Sequence, residues 1–284
     1  MRQRISDKNI FPAFSLETEY KKLHSLFFDR SEFGLLGGIL GDTRMHPSHS
    51  YNDCLSGMFL DWKLRGSFTS LEEMLFGLKI SEDEFEKSCT EERLLDYIQF
   101  IANAIIFVRV EVKSGKYSIY QASDSIFKAI IENSKLIITR LGAEMVDEDD
   151  EMFIVYKDDV ATAVGIQNTD IKGSLIDYLK IDNRGDLQKK GEVLCTLAKK
   201  LEPIERQFKG TEFNGLCSDT TLLLNKIGAR HAINESDNIE AKFGAMSEVE
   251  LENWYDRTFQ MFLACIAAQP YLEFKNEIKG IKGS

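Results

Sequence analysis

Apolar residues recur at intervals of three and four along most of this chain, which is the spacing of one buried face of an α-helix. The clearest run extends from Leu187 to Ile204 and covers about five turns of such a helix. The 284 residues include 4 prolines, so few helices are interrupted. We therefore expect a mainly α-helical fold.

Two segments instead alternate apolar and polar residues, which is typical of β-strands. One is Val108–Tyr120, which alternates on both sides of Ser114 and Gly115. The other is 143–159 (AEMVDEDDEMFIVYKDD), where two short apolar segments flank an acidic run at Asp147–Glu151. Each pattern predicts a small β-hairpin, so we expect one or two hairpins among the helices.

Strand-like spacing stops near residue 165. We therefore divide the chain into a mostly helical N-terminal domain, 1–165, to which the sequence assigns no function, and a C-terminal helical bundle, 166–284. The last helix of the bundle is predicted to begin at Ser247, because Glu250 follows three residues later as in a capping box. Pro270 is expected to limit that helix.

The formal net charge of −11 argues against a protein that coats nucleic acids in general or that binds anionic membrane surfaces. The charge is reversed locally, because Lys180–Arg230 contains ten lysines and arginines against seven acids, a net charge of +3. This basic region is a candidate surface for an anionic ligand. A solvated helix face explains the same charges equally well.

The 5 cysteines are scattered and form no C-x-x-C pair, which predicts reduced, mostly buried thiols. No apolar segment reaches the roughly 18 residues that a membrane-spanning helix needs, and the N-terminus does not resemble a signal peptide. We therefore expect a soluble, cytoplasmic protein without a membrane partner.

Two patterns between residues 31 and 53 are candidates for ligand binding. The four glycines of 31–44 follow no predicted strand and lack the core of a phosphate-binding loop, so close packing or a loose connection explains them better. His46 and His49, with Asp42 and Asp53 nearby, have a spacing that can hold a metal, but a polar loop with incidental histidines explains them better. We predict neither a metal nor a cofactor.

The best candidate for a site is Leu216–Ile233. Its apolar residues recur at helical spacing up to Gly228, and Arg230 and His231 follow directly. A helix that ends in glycine can hold such a basic pair at the surface. Glycine and a cation are also ordinary features of helix C-termini.

Within this segment, Leu224–His231 (LNKIGARH) resembles the motif of the HEPN superfamily, in particular the C-terminal helical domains of bacterial abortive-infection proteins. That motif pairs an arginine, often followed by asparagine, with a histidine four to six residues later. Asn225, Gly228 and His231 match it, whereas Leu224 occupies the position of the leading arginine. The resemblance covers roughly the last 110 residues.

The resemblance implies an anti-phage defence protein that cleaves RNA without a metal. His231 would take the proton from a ribose 2′-hydroxyl, and Arg230 would stabilise charge on the phosphate. Asn225 would orient the histidine or hold the loop. The lysines expected to contact RNA are Lys189, Lys190, Lys199, Lys200 and Lys226. The family often pairs its sites across a two-fold axis, so the resemblance also implies a homodimer.

Two other functions fit the same sequence. One is a non-catalytic HEPN-like module that binds RNA or a protein partner such as an antitoxin. The other is a helical adaptor or regulatory protein, in which the N-terminal domain holds the function and acidic surfaces meet a basic partner.

Overall fold

The computed structural model describes residues 14–28, 51–114, 124–148, 151–228 and 243–282. This part of the chain is mainly helical and contains one small two-stranded antiparallel sheet, which confirms the predicted fold class. The chain divides into two compact units, Met1–Ile154 and Val155–Ser284. Each unit is described by itself below.

The described helices that precede the hairpin all belong to the first unit. The α-helices are α1 (Leu16–Phe28), α2 (Tyr51–Met58), α3 (Leu71–Gly77), α4 (Glu82–Lys87), α5 (Glu91–Lys113) and α6 (Asp124–Arg140). Two short 3-10 helices, Phe59–Asp61 and Lys63–Arg65, follow α2. The hairpin strands are β1 (Ala143–Glu148) and β2 (Glu151–Tyr156), so the division between the units falls within β2.

Helix α5 is the centre of the first unit and packs against α1, α2 and α6. Its buried side chains recur at helical spacing, and an aromatic cluster covers its first turns. In that cluster Tyr20 of α1 stacks on Phe85 of α4 with ring centroids 3.7 Å apart, and both contact Tyr97 of α5. Stacked and tilted aromatic rings bury large apolar areas, so this cluster fixes α1 and α4 on α5.

Two side-chain amides of α5 hold strand β2. The Asn103 carboxamide donates to the Met152 carbonyl and accepts from the Met152 N–H, both at 2.8 Å. Gln99 accepts from the Ile154 N–H at 2.7 Å. A free strand edge leaves backbone groups unpaired, so these bonds complete the edge of the hairpin within the protein.

The hairpin predicted within 143–159 is confirmed, whereas the one predicted within Val108–Tyr120 is wrong in its first strand. Residues 108–113 are the last turns of α5, and residues 115–120 lie outside the described residues. Val108 is 2% exposed and Val110 is 53% exposed. Val108 continues the buried helical row of Ile101 and Ile105, so the short alternation is the edge of a helical face.

The second unit is a helical bundle. Its elements are α7 (Asp159–Gln167), α8 (Lys172–Leu179), a 3-10 helix (Ile181–Asn183), α9 (Leu187–Leu201), α10 (Glu205–Phe208), α11 (Asn214–Gly228) and α12 (Glu248–Lys282). The unit begins before the predicted boundary at 165, because α7 packs against α8 and α12.

Helices α9, α11 and α12 pack pairwise against one another and form the core of the second unit. Each contributes one apolar face, as the spacing predicted. The side chains with no exposed surface in this core are Leu194, Leu197, Phe208, Phe262, Leu263 and Cys265. Burial of each large apolar side chain stabilises the fold by roughly 1.5–3 kcal/mol.

The start of α12 has the predicted capping box, but its predicted limit at Pro270 is wrong. The Ser247 hydroxyl accepts from the Glu250 N–H at 3.3 Å, and the Glu250 carboxylate accepts from the Ser247 N–H at 2.9 Å. The helix then continues through Pro270 to Lys282. A proline removes one helical hydrogen bond, and the buried Ile266 and Leu272 on either side hold the helix in the core.

Cys89, Cys195, Cys217 and Cys265 are free thiols, of which Cys217 and Cys265 are buried and the other two are half-buried. Burial, aided by the neighbouring Cys265, raises the pKa of the Cys217 thiol to about 12. That thiol is therefore protonated near neutral pH and is a poor nucleophile. None of the helices in the described ranges combines the length and apolarity that a bilayer crossing needs.

The capping box leads to a test of the fold. We expect Ser247→Ala to lower the free energy of unfolding by about 1 kcal/mol, because it leaves a helix-terminal N–H without its acceptor. Chemical unfolding followed by circular dichroism measures this change. Ser218→Ala is the control, since Ser218 is exposed within α11, where alanine is the better helix former. Equal losses in the two variants would contradict the capping role.

Candidate functional site

Helix α11 carries the segment that resembles the HEPN motif. Its inward face includes Cys217, Thr220 and Leu224, all at most 1% exposed. The Thr220 hydroxyl donates to the Leu216 carbonyl at 2.7 Å and lies 3.5 Å from the Cys265 sulfur of α12. The position of the family's leading arginine, Leu224, therefore belongs to the core and cannot present a charged group to solvent.

Helices α11 and α12 run antiparallel, and their contacts fix the register. Phe213, just before α11, meets the ring of Tyr271 edge-on at 5.9 Å. Further along α11, Thr220 lies beside Cys265. Because both helices rise equally per residue, the same register brings the last turn of α11 (225–228) beside about 257–260 of α12.

The start of α9 lies at this same end of the bundle. The Lys190 ammonium contacts Glu252 at 2.8 Å and Asp256 at 2.9 Å, both on the early turns of α12. We call this region the Gly228 end: the last turn of α11 (225–228), the first turn of α9 (187–190) and the early turns of α12 (248–258).

The predicted catalytic residues are only partly described. Asn225 is exposed on the last turn of α11, and Lys226 beside it is half-buried. Arg230 and His231 lie outside the described residues, as do His46 and His49. The structure therefore gives the position of the helix that precedes the basic pair.

The predicted lysines of α9 do not form one patch. Lys189 is exposed at the Gly228 end, whereas Lys199 and Lys200 lie about ten residues along the helix, roughly 15 Å away. Lys200 contacts Asp170 at 2.9 Å. Lys190 is 7% exposed, so its expected contact with RNA is corrected to an internal role.

Lys190 is the centre of a polar cluster between α8, α9 and α12. Its ammonium lies 5.3 Å from the ring centroid of Tyr178 and between the two carboxylates. The Tyr178 hydroxyl donates to Asp256 at 2.9 Å, and the Gly185 N–H donates to Glu252 at 2.8 Å. A buried ammonium is costly unless it is paired and hydrogen-bonded, and here it is both.

The surroundings of Tyr178 and Glu252 in this cluster shift the pKa of each side chain. Burial, reinforced by the nearby Asp256 carboxylate, raises the pKa of Tyr178 far above its ordinary value, so the hydroxyl remains a donor. Burial also acts to raise the pKa of Glu252, but hydrogen bonds from Lys190 and Gly185 outweigh it and the net shift is downward. The polar groups of this cluster are therefore already paired with one another, which is typical of a structural role.

Two residues that sequence reasoning did not assign to the site lie at the Gly228 end. Arg257 is exposed on α12, and its guanidinium lies 5.9 Å from the ring centroid of Trp254. Trp254 is only half-buried and meets Phe243 edge-on at 5.8 Å. The three-residue spacing of Trp254 and Arg257 on one helix was the available signal, because such residues are neighbours on a helix surface.

The first unit has an open groove that offers different chemistry. Helices α2, α3 and α4 form it, and its lining includes Glu72, Leu75, Phe76 and Asp83. Among the described residues that line it there is no histidine, lysine or arginine. Within the described ranges no group of three or more His, Cys, Asp or Glu is arranged to hold a metal. An acidic, apolar groove does not suit a polyanion.

The cluster around Lys190 generates a pH prediction. Because the pKa of Glu252 is lowered by folding, its carboxylate stabilises the fold above its ordinary pKa of 4.5, and this contribution is lost as the pH falls through the folded-state pKa. We expect Glu252→Gln to lower the melting temperature at pH 7 and to make its decline toward acid pH shallower.

Thermal unfolding between neutral and acid pH, followed by circular dichroism, measures this difference. Glu192→Gln is the control, since Glu192 is exposed on α9 and its carboxylate accepts a long hydrogen bond from Gln188 at 3.2 Å. If both variants followed the wild-type pH profile, Glu252 would have no such role.

No known protein family, curated protein or solved structure matches this chain. The resemblance to the HEPN superfamily therefore rests on the residues of 224–231 and on the helices around them. A fold alone does not specify an activity, so function must be argued from the Gly228 end itself.

Proposed function

We propose that this chain is a defence protein of the abortive-infection type, with a HEPN-like C-terminal bundle that binds RNA at its Gly228 end and cleaves it without a metal. His231 acts as the general base, and Arg230 and Arg257 contact the phosphate. One observation carries the proposal: α11, the helix that precedes Arg230 and His231 in the sequence, ends beside the part of α12 that presents the exposed Arg257.

The proposed reaction needs an imidazole and a cation, and no other reagent. His231 takes the proton of a ribose 2′-hydroxyl, whose oxygen attacks the adjacent phosphorus. The bond from phosphorus to the 5′-oxygen breaks, that oxygen takes the proton from the His231 imidazolium, and a 2′,3′-cyclic phosphate is left on the other fragment. Histidine suits both transfers because its unperturbed pKa, about 6.5, lies near neutrality.

Arg257 supplies the guanidinium that the family motif would place at 224. Leu224 is buried there, so a phosphate-binding arginine must come from elsewhere. Arg257 lies beside the last turn of α11 in the register set by Thr220 and Cys265. Its planar guanidinium can contact two phosphate oxygens at once, and Trp254 beneath it restricts its motion.

The lysines contribute unequally to this proposal. Lys189 and Lys226 belong to the Gly228 end and would add attraction for the RNA backbone. Lys199 and Lys200 lie farther along the bundle and would act only on longer RNA. Such contacts release counterions, so the RNA affinity should fall steeply with salt.

A second candidate, a non-catalytic HEPN-like module that binds RNA, is favoured by the burial of Leu224. Without the leading arginine, His231 and Arg230 would hold RNA but would not stabilise the charge that develops during cleavage. In either form we propose a cytoplasmic homodimer, with a protein partner such as an antitoxin as its regulator. Reduced thiols suit that compartment.

The proposal predicts RNA cleavage by the purified chain in the presence of EDTA. His231→Ala should lower the cleavage rate by about 10²–10⁴-fold, because proton transfer by a positioned side chain typically contributes that much. Arg257→Ala and Arg230→Ala should each weaken RNA binding. Each should also reduce the slope of log affinity against log salt by about 1, since one phosphate contact is lost. Gel assays of labelled RNA and titrations at several salt concentrations measure both effects.

Arg206→Ala is the matched control, because Arg206 is an exposed arginine on α10, at the opposite end of the bundle. Cleavage that is unchanged by His231→Ala would exclude the nuclease. Salt-sensitive RNA binding without any product would support the second candidate. Failure to bind RNA even at low salt would exclude both.

A further inference from the structure

The open groove of the first unit has a lining that is partly apolar and partly acidic. It lies between α2, α3 and α4 and encloses about 640 Å³. A groove of this size receives a few side chains of a ligand. We call it the α3 groove, because α3 supplies most of its lining. The residues that characterise it are Leu71, Glu72, Glu73, Leu75, Phe76 and Asp83.

The apolar part of the α3 groove is open to solvent at Phe76. This side chain is 71% exposed, whereas Leu71 is 6% exposed and Leu75 is half-buried. A single exposed apolar residue is common on protein surfaces, but this one lies in a concave site beside two partly covered leucines. A ligand that covers the ring removes a large apolar area from water, so Phe76 is suited to be an anchor for binding.

The carboxylates of the α3 groove are not neutralised within the described part of the chain. Glu72 and Asp83 are exposed, and neither forms an ion pair with another described residue. The cations of the neighbouring helices are directed elsewhere. Lys87 of α4 and Arg93 of α5 both pair with Glu84, at 2.7 and 3.6 Å, and Glu84 does not line the groove. The groove therefore presents negative charge to a ligand.

Helix α3 is held at both ends. The Glu73 carboxylate accepts from the Thr69 N–H at 2.8 Å and the Thr69 hydroxyl at 2.7 Å, and the Glu73 N–H donates to the Ser70 hydroxyl at 3.1 Å. The bonds from Thr69 lower the pKa of this carboxyl, so it is an anion at neutral pH. At the other end the Phe68 ring packs so closely on Gly77 that a Cβ there would lie 2.6 Å from it. Such a fixed wall loses little freedom on binding.

We infer that the α3 groove binds a basic, amphipathic helical segment of a partner protein. A large apolar side chain of that segment lies against Phe76, and its lysine or arginine side chains lie beside Glu72 and Asp83. Charge complementarity determines this choice, because an acidic groove repels an anionic ligand and attracts a cationic one. A groove between helices suits a helical segment, whose apolar anchors recur on one face.

This inference goes beyond the proposed binding of RNA. It concerns the first unit and uses no residue of the Gly228 end. The carboxylates that attract a basic partner repel an RNA backbone, so one ligand cannot account for both sites. The inference gives the first unit a function of its own, the recruitment of a basic partner, and either proposal can fail alone.

Fluorescence anisotropy of labelled synthetic peptides, titrated with the full chain, tests the inference. The first peptide consists of lysine and leucine, arranged so that the leucines form one helical face. The second replaces each leucine with serine, and the third replaces each lysine with glutamate. The first peptide should bind, with an affinity that falls as salt is added. The other two should bind at least about tenfold more weakly, because each lacks one of the two components.

Replacement of the aromatic anchor tests the apolar part of the groove. Phe76→Ala should weaken binding of the first peptide by about tenfold or more. Leu136→Ala is the matched control, since Leu136 is 65% exposed on α6 and does not line the groove. Both side chains are mostly exposed, so neither variant should unfold, and circular dichroism spectra that match the wild type verify this.

Charge reversal tests the acidic part. Glu72→Lys combined with Asp83→Lys should weaken binding of the first peptide roughly tenfold and reduce its salt dependence. Glu132→Lys combined with Glu144→Lys is the matched control, because it changes the net charge equally at exposed acids of α6 and β1. Equal losses in the two double variants would show attraction by net charge alone and would overturn the inference.

Three other results would also overturn it. The first is a failure of the lysine–leucine peptide to bind, and the second is equal binding of the lysine–serine peptide, since the apolar lining would then have no role. The third is a dimer of the free chain that Phe76→Ala dissociates, because a second copy would then be the occupant. Hydrogen exchange of the peptide complex locates the site. Protection is expected within 70–83, and protection confined to the second unit would contradict the inference.

Discussion

The ammonium of Lys190 is the interaction on which the arrangement of the second unit depends. It lies in a nearly closed environment between Glu252 and Asp256 and over the ring of Tyr178. Removing an ammonium from water costs several kcal/mol, and the two carboxylates and the ring offset that cost only when they are correctly placed. We interpret the cluster as a device that sets which turns of α9 and α12 meet. An apolar contact could contribute the same stability to the fold but would allow α9 and α12 to slide along each other.

Once that register is set, the position of the Gly228 end follows. The contacts of Phe213 with Tyr271 and of Thr220 with Cys265 align α11 antiparallel to α12. The last turn of α11 therefore meets the part of α12 that presents Arg257. A chain with a net charge of −11 can attract a polyanion only where cations are concentrated. The Gly228 end carries four cations against four acids and is closer to this condition than the groove of the first unit, whose described lining has acids and no cation.

Helical spacing predicted the elements with long apolar faces, because a buried face leaves a signal in every turn. The capping box at Ser247 was also predictable, since it depends on two residues three apart. Two predictions failed for opposite reasons. The six residues from Val108 alternate by chance at the edge of the α5 face. Six residues are too few to distinguish the alternation of a strand from the spacing of a helix. Pro270 removes one hydrogen bond, but the packing of its neighbours, which no local pattern contains, keeps α12 intact.

The candidate site was less predictable than the fold. A count of charges placed Lys190 among the surface cations, because the count does not reveal the carboxylates of α12 across the core. Arg257 was overlooked because it lies about thirty residues from the motif and joins it only through the antiparallel register. The basic pair after Gly228 could be identified because it belongs to the motif in the sequence. Arg257 could be identified only from the packing of α11 against α12.

The central claim is that RNA binds at the Gly228 end, and photo-crosslinking tests it most directly. The full chain is irradiated with RNA that contains 4-thiouridine, and the linked peptides are identified by mass spectrometry. The account predicts crosslinks within the peptides that cover 226–257, at Trp254 above all, and their loss at high salt. Crosslinks confined to the first unit, or to the α10 end of the bundle, would contradict it.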